Sequence, residues 1–173
     1  SGYSVTLHEE LDDIVQCASN INQYRLHKGY HYPRSVETAK ECLDGQSSFK
    51  RKYEDSLIDN DIEHYYSISK KDSFINGGQY LNFLEKMNLP FKVIQPTNKG
   101  TEITIRADEL LFDSDSLRVQ AKDKMKSSGV RLFLNKSTSK EDFDDFDYIV
   151  IATYAKINDL LDKPKSYQYE VIE

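Results

Sequence analysis

Apolar residues at three- and four-residue steps alternate along the chain with short runs at two-residue or continuous spacing, a pattern that predicts helices interleaved with strands. Residues 3–8 are rich in strand formers. Leu11, Ile14, Val15 and Ala18 then fall at helical spacing behind Glu9, Glu10, Asp12 and Asp13, acids suited to a helix N-terminus. The firmest helix signal follows Pro33. Ser35 is placed to cap it, Glu37 lies in its first turn, Val36, Ala39 and Leu43 share a face, and Gly45 is placed to close it. Residues 49–55 continue as a further helical turn or two, and 62–69 read as a strand. A helix over 79–87 stops before Pro90, and strands follow over 91–94 and 102–106. Residues 108–112 read as an irregular link, after which Asp113 to Ser116 offer N-caps to a helix that ends near Ser128 at Gly129. The last third is the most strongly patterned. Residues 130–135 read as a strand, and the apolar run over 146–153 fits a fully buried one, so the helix before them gives a βαβ-like rhythm.

Composition narrows the classes. The apolar set is 38% of 173 residues against 30% charged, which implies a thin core, although 12 Tyr and 8 Phe supply large rigid side chains. With 23 basic and 29 acidic side chains the net charge is −6, which disfavours nonspecific nucleic-acid binding. No apolar run approaches the roughly 18–20 residues of a membrane span, and the first residues lack the basic start of a secretion signal. Cys17 and Cys42 form no CxxC, so neither a disulfide framework nor a thiolate metal site is expected, and a reducing cytoplasm is the expected compartment. No G-x-S-x-G elbow and no P-loop is present, which sets aside hydrolase and kinase chemistry.

The stretch from Asn20 to Arg34 has neither helical nor strand period and is dense in hydrogen-bonding and aromatic side chains. Segments of that kind line sites more often than cores. His27 and His31 are four residues apart, a spacing open to three uses: proton transfer, a structural hydrogen bond, or a metal pair, the last without a zincin Glu or a well-spaced third ligand. Arg34 either clamps a carboxylate or salt-bridges Glu37, and Tyr24, Tyr30 and Tyr32 suit packing as well as a pocket.

Three local strings resemble the FAD-dependent oxidoreductases of the D-amino-acid-oxidase superfamily, in particular the branch that oxidises 2-hydroxyglutarate and glycerol 3-phosphate. Gly2-Tyr3-Ser4-Val5-Thr6-Leu7-His8-Glu9 resembles the second strand of the family's dinucleotide-binding fold, whose terminal acid accepts the ribose hydroxyls. Ser19, Asn22, Leu26-His27-Lys28-Gly29 and Tyr32 match the loop that passes under the pyrophosphate and flavin, although Gln23-Tyr24-Arg25 replace the family's small residues. The run over 146–153 resembles the strand leading to an Ala-Thr-Gly turn on the nucleotide. Here Tyr154 stands in place of the glycine, so either the turn avoids positive φ or the backbone approach to the cofactor differs.

The resemblance implies FAD as cofactor, with Glu9, Ser19, Asn22, Gly29, Thr138, Ala152 and Thr153 as its contacts. It implies His27 and His31 near the reacting atoms, Arg34 on the substrate, and no metal. The expected fold is α/β, a Rossmann-like FAD-binding layer over residues 1–60 and 113–173 interleaved with a mixed or antiparallel substrate layer over 61–112. The expected partner is a small polar substrate such as a 2-hydroxy acid or amino acid, which loses hydride from a carbon beside a hydroxyl or amine. No protein partner is implied. The family's G-x-G-x-x-G turn is nowhere in the 173 residues, so the chain is expected to be truncated at both ends and inert in isolation. The competing class is a non-catalytic α+β module whose Tyr- and His-rich loop binds a protein or sugar.

Overall fold

The computed structural model describes residues 2–58, 62–96, 98–162 and 167–168. The fold is mixed α/β with small sheets, in two compact units. One is built from the described residues of Ser1–Ile14 and Val130–Glu173, the other from those of Val15–Gly129.

In the first unit, β1 (Thr6–His8) pairs in parallel with β8 (Arg131–Phe133), with Leu7 opposite Leu132. The pairing extends beyond the strands through Glu9 N–H to Phe133 O at 2.9 Å and Lys136 N–H to Glu9 O at 2.8 Å. Two expected elements are absent here. Residues 146–153 form no strand: Tyr148 and Val150 are 76% and 89% exposed, because among the described residues no ladder partner and no covering layer reach this run. The helix expected over Leu11–Ala18 is also absent. Glu9 Oε1 accepts the Leu11 N–H at 3.0 Å and Asp13 Oδ1 accepts the Ile14 N–H at 2.8 Å, so side chains take backbone donors that a helix would need. The unit closes with a 3-10 turn, Tyr154–Lys156, and the single-turn helix α4 (Ile157–Leu160).

The second unit holds the main core. The helix α1 (Val36–Lys52) starts at Ser35, whose hydroxyl accepts the Thr38 N–H, and Glu37 lies in its first turn as the sequence implies. It runs through Gly45 rather than stopping there, with Lys50, Arg51 and Lys52 complementing the carbonyl end. The helix α2 (Gly77–Lys86) begins with a reciprocal cap between Asn76 and Gln79. The buried face of α2, Tyr80, Phe83 and Leu84, packs with Ile68, Ile105 and Ala107 of an antiparallel sheet. Its order is β4 (His64–Ser69), β6 (Thr101–Ala107), β5 (Phe91–Ile94). A second antiparallel sheet joins β2 (Arg25–Leu26), β7 (Leu110–Phe112) and β3 (Leu57–Ile58). Thus Asp108 and Glu109 are irregular as expected of the link over 108–112, but its last three residues, Leu110–Phe112, are a central strand whose partners lie far away in sequence. The helix α3 (Ser114–Ser127), capped by Asp113, follows it and packs on the 3-10 turn Glu54–Ser56. Gly129, at φ +72, stands just after its C-cap, Ser128. No described helix is long and apolar enough to cross a membrane.

Candidate functional site

In the first unit a cavity of about 320 Å³ lies against β1. Val5 to His8 form one wall, and Thr138 and the extended run from Tyr148 to Thr153 complete most of the rest. Thr6 lines it with a buried Oγ1 that has no hydrogen-bond partner. His8 Nδ1 lies 3.0 Å from Thr138 Oγ1, so the end of β1 is tied to the loop after β8. The His8 ring meets Phe133 and Phe146 edge-on, at 5.5 and 6.4 Å between centroids. Of the residues singled out from sequence, Thr138, Ala152 and Thr153 line this cavity together. Glu9 follows β1 directly and spends Oε1 on the Leu11 N–H. Tyr154 adopts φ +51 with its ring 86% exposed. The turn therefore keeps the left-handed backbone that a glycine would favour, although a tyrosine occupies it.

In the second unit the segment from Cys17 to Tyr24 is stitched to itself. Asn22 Nδ2 donates to Ala18 O at 2.7 Å, its Oδ1 accepts the Tyr24 N–H, and Tyr24 Oη donates to Asn20 O at 2.6 Å. Ser19 and Asn22 are exposed. Gly29 is buried at φ +99, and a Cβ there would stand 2.9 Å from the Cα, Cβ and O of Ala39, so what approaches this glycine is α1. Arg34 lays its guanidinium over the Phe74 ring at 4.5 Å.

His27 and His31 come together, with ring centroids 6.2 Å apart. Between them and the sheet lies a group that sequence reasoning missed, Glu109, whose side chain is 0% exposed. Its Oε1 accepts the Lys28 N–H at 2.9 Å and its Oε2 accepts the Tyr66 hydroxyl at 2.6 Å. His27 Nδ1 stands 3.7 Å from Oε1, outside hydrogen-bonding distance, and is itself buried without a partner. Burial pushes the Glu109 carboxyl up, but His27, Tyr66 and the Lys28 N–H outweigh it and hold the group below the usual carboxylate range. Leaving that carboxylate with one donor fewer would cost about 1.5–3 kcal/mol, the usual value of a hydrogen bond to a charged group.

The surrounding tyrosines are correspondingly hard to ionise. Burial, then the Glu109 bond, raises Tyr66, and burial alone is the main cause at Tyr80. Tyr30, stacked on Tyr66 at 5.7 Å, is pushed up to about 12 by burial, against the lowering bond from the Asp108 N–H. Tyr30 donates to Pro90 O and accepts the Tyr80 hydroxyl on its own carbonyl at 3.1 Å. Arg25 lies over the Tyr66 ring at 5.1 Å, and burial, then Arg25, lowers His64. The only sequence signal for Glu109 is an acid set directly before the apolar run Leu110-Leu111-Phe112. Among the described residues no group of three His, Cys, Asp or Glu side chains is placed to hold a metal.

No family model matches the chain. It is similar to the FAD-dependent monooxygenase FPY4 of Fusarium mangiferae, 25% identical in an alignment 173 positions long, gaps included, that covers 92% of this chain and 45% of the relative. It is also similar to the FAD-dependent monooxygenase kojA of Aspergillus flavus, 26% identical in an alignment 147 positions long that covers 80% of this chain and 34% of the relative. A probable kojA of Aspergillus oryzae matches at the same identity and coverage. The chain thus spans less than half the length of these curated relatives.

Proposed function

We propose that these residues are part of a flavin-dependent oxidoreductase that uses FAD and acts on a small polar substrate, such as a 2-hydroxy acid or an amino acid. The likeness to FAD-dependent monooxygenases over 80–92% of the chain supports the cofactor. The observation that carries the assignment is the parallel pair β1–β8 with a cavity against it and a carboxylate, Glu9, just past its end. Open parallel sheets bind nucleotides outside the carboxyl ends of their strands, which is the Rossmann-like arrangement.

The residues present suit the nucleoside end of FAD. Glu9 would accept the ribose hydroxyls, Thr138, Ala152 and Thr153 would line the nucleotide, and the unpartnered Thr6 hydroxyl offers one more polar contact. Among the described residues, none of the three long helices offers the pyrophosphate an uncapped N-terminus. The three long helices start at Ser35, Asn76 and Asp113, and each of those side chains already accepts a first-turn N–H. Ser19, Asn22 and Gly29 are proposed for the cofactor on the family resemblance alone.

When bound, the flavin would supply the acceptor for hydride from a substrate carbon beside a hydroxyl or amine. His27 would take the hydroxyl or amine proton on the ring nitrogen that solvent reaches, since its Nδ1 is buried. His31, exposed and edge-on to Tyr66 at 6.1 Å, would pass that proton to water. Arg34 would hold a substrate carboxylate with one edge of its guanidinium while its face rests on Phe74.

Amide chemical-shift titration of the chain with ADP tests the nucleoside site. Perturbations are expected at Thr6, Glu9, Thr138, Ala152 and Thr153 at millimolar ADP, with weaker binding in Glu9→Gln. No perturbation, or perturbation confined to other residues, would overturn the assignment and favour the non-catalytic binding module.

A further inference from the structure

We propose that Glu109 fixes the tautomer of His27, keeping the proton on Nδ1 and leaving Nε2 as the bare nitrogen that accepts a proton. The role as acceptor rests on the flavin assignment above; the tautomer itself does not. Nδ1 is buried without a partner, and the polar atom it faces is Glu109 Oε1, at 3.7 Å. A bare Nδ1 would set a lone pair against a carboxylate inside the protein, whereas an N–H there meets an acceptor after a shift of well under 1 Å.

The carboxylate is held in place for this. Tyr66 from β4 binds Oε2, and the Lys28 N–H binds Oε1, which keeps lone-pair capacity for one more donor. With the Lys28 N–H and the Tyr66 hydroxyl both supplying donors, Glu109 stays an ionised acceptor. Other charged or titratable groups around the pair are Arg25 over Tyr66, His64 on β4, Tyr30, Tyr80, Cys42 of α1, His31, and Asp108 paired with Lys28 Nζ at 2.6 Å. None of these has a contact with Nδ1 that competes with Glu109. The His27 side chain is 37% exposed although Nδ1 is buried, so solvent and substrate meet the rest of the ring. Glu109 is therefore a positioning residue, acting through His27 rather than on a ligand.

Long-range proton–nitrogen correlation spectra of the full chain with 15N-histidine, at about pH 8.5 where imidazoles are neutral, read the tautomer directly. The variant His27→Asn identifies the His27 cross-peaks among those of the 4 histidines. The Nδ1–H form is expected to exceed the Nε2–H form about tenfold or more, as a charge-assisted hydrogen bond implies. In Glu109→Gln, where the acceptor is neutral, the excess is expected to fall several-fold. A His27 that is mainly Nε2–H, or an even mixture in the wild type, would overturn the proposal, as would an unchanged ratio in folded Glu109→Gln. Should that variant not fold, the wild-type ratio alone decides. Failure of ADP to bind would remove the cofactor assignment and leave this ratio untouched.

Discussion

Replacing Gly29 by alanine is expected to be the most damaging single-methyl change in the second unit. Two costs act together. The backbone at φ +99 strains any residue with a Cβ, at about 1–3 kcal/mol. The new methyl would also sit 2.9 Å from Ala39 Cα, Cβ and O, two helix backbone atoms and a methyl fixed to them, none of which can rotate aside, and such overpacking costs about 1–3 kcal/mol. The sum is about 2–6 kcal/mol. With a urea m-value of about 2 kcal/mol per M, the midpoint would fall by roughly 1–3 M. The chain has no tryptophan, so circular dichroism and tyrosine fluorescence are the probes. Two companion variants separate the terms. Gly129→Ala has φ +72 and nothing within 4 Å, so it carries the strain alone, about 1 kcal/mol. Gly45→Ala, exposed inside α1 with nothing within 4 Å, should stabilise by about 0.5–1 kcal/mol. If Gly29→Ala lost no more than Gly129→Ala, α1 would not be pressed against this loop and the close approach of Ala39 to Gly29 would be wrong.

Tyr154→Gly relieves the left-handed backbone at φ +51 and gives up only an exposed ring, so a gain of up to about 1 kcal/mol is expected in urea unfolding; a loss would show that the ring contributes packing. Because the Glu109 carboxyl is held below its ordinary value of 4.5, its contribution to stability is complete above that pH and is lost as the pH falls through the lower folded value. Glu109→Gln should therefore flatten the acid limb of stability against pH, measured by urea unfolding at a series of pH values. Tyr30 shows the opposite limb. Raised from 10 to about 12, it contributes fully below pH 10 and loses that contribution as the pH rises through about 12, so Tyr30→Phe should flatten the alkaline limb, followed by tyrosinate absorbance.

What was legible in the sequence is what is set locally. Ser35 with Glu37, Asp113 with the helix behind it, and the strand over 91–94 carry their caps and spacing within a few residues, and each stands where the pattern puts it. The apolar spacing that predicts a helix over 79–87 carries no sign of the cap before it, and the Asn76–Gln79 exchange starts α2 two residues earlier, at Gly77. The apolar run over 146–153 shows the limit of hydrophobicity as a signal, since a buried strand needs partners that lie elsewhere. The sheet β2–β7–β3 escaped notice because its strands span two or three residues and pair Arg25 with Leu111 and Leu57 with Phe112. Burial of Glu109 follows from the same long-range pairing. Tyr66 and Lys28 stand 43 and 81 residues away in sequence, so beyond the apolar run that follows it nothing near Glu109 marks it out from the other acids.

The parallel pair β1–β8 covers only three residues on each strand, with no third strand beside it among the described residues. So short a ladder opens far more readily than the central strand β6, which is paired along both edges. Deuterium should therefore enter the Leu7 and Arg131 amides, which donate within this ladder, well before that of Ile105. A ligand gripping the ends of β1 and β8 would add its binding free energy to that local opening, so slowed exchange at these ladder amides alone would be its signature.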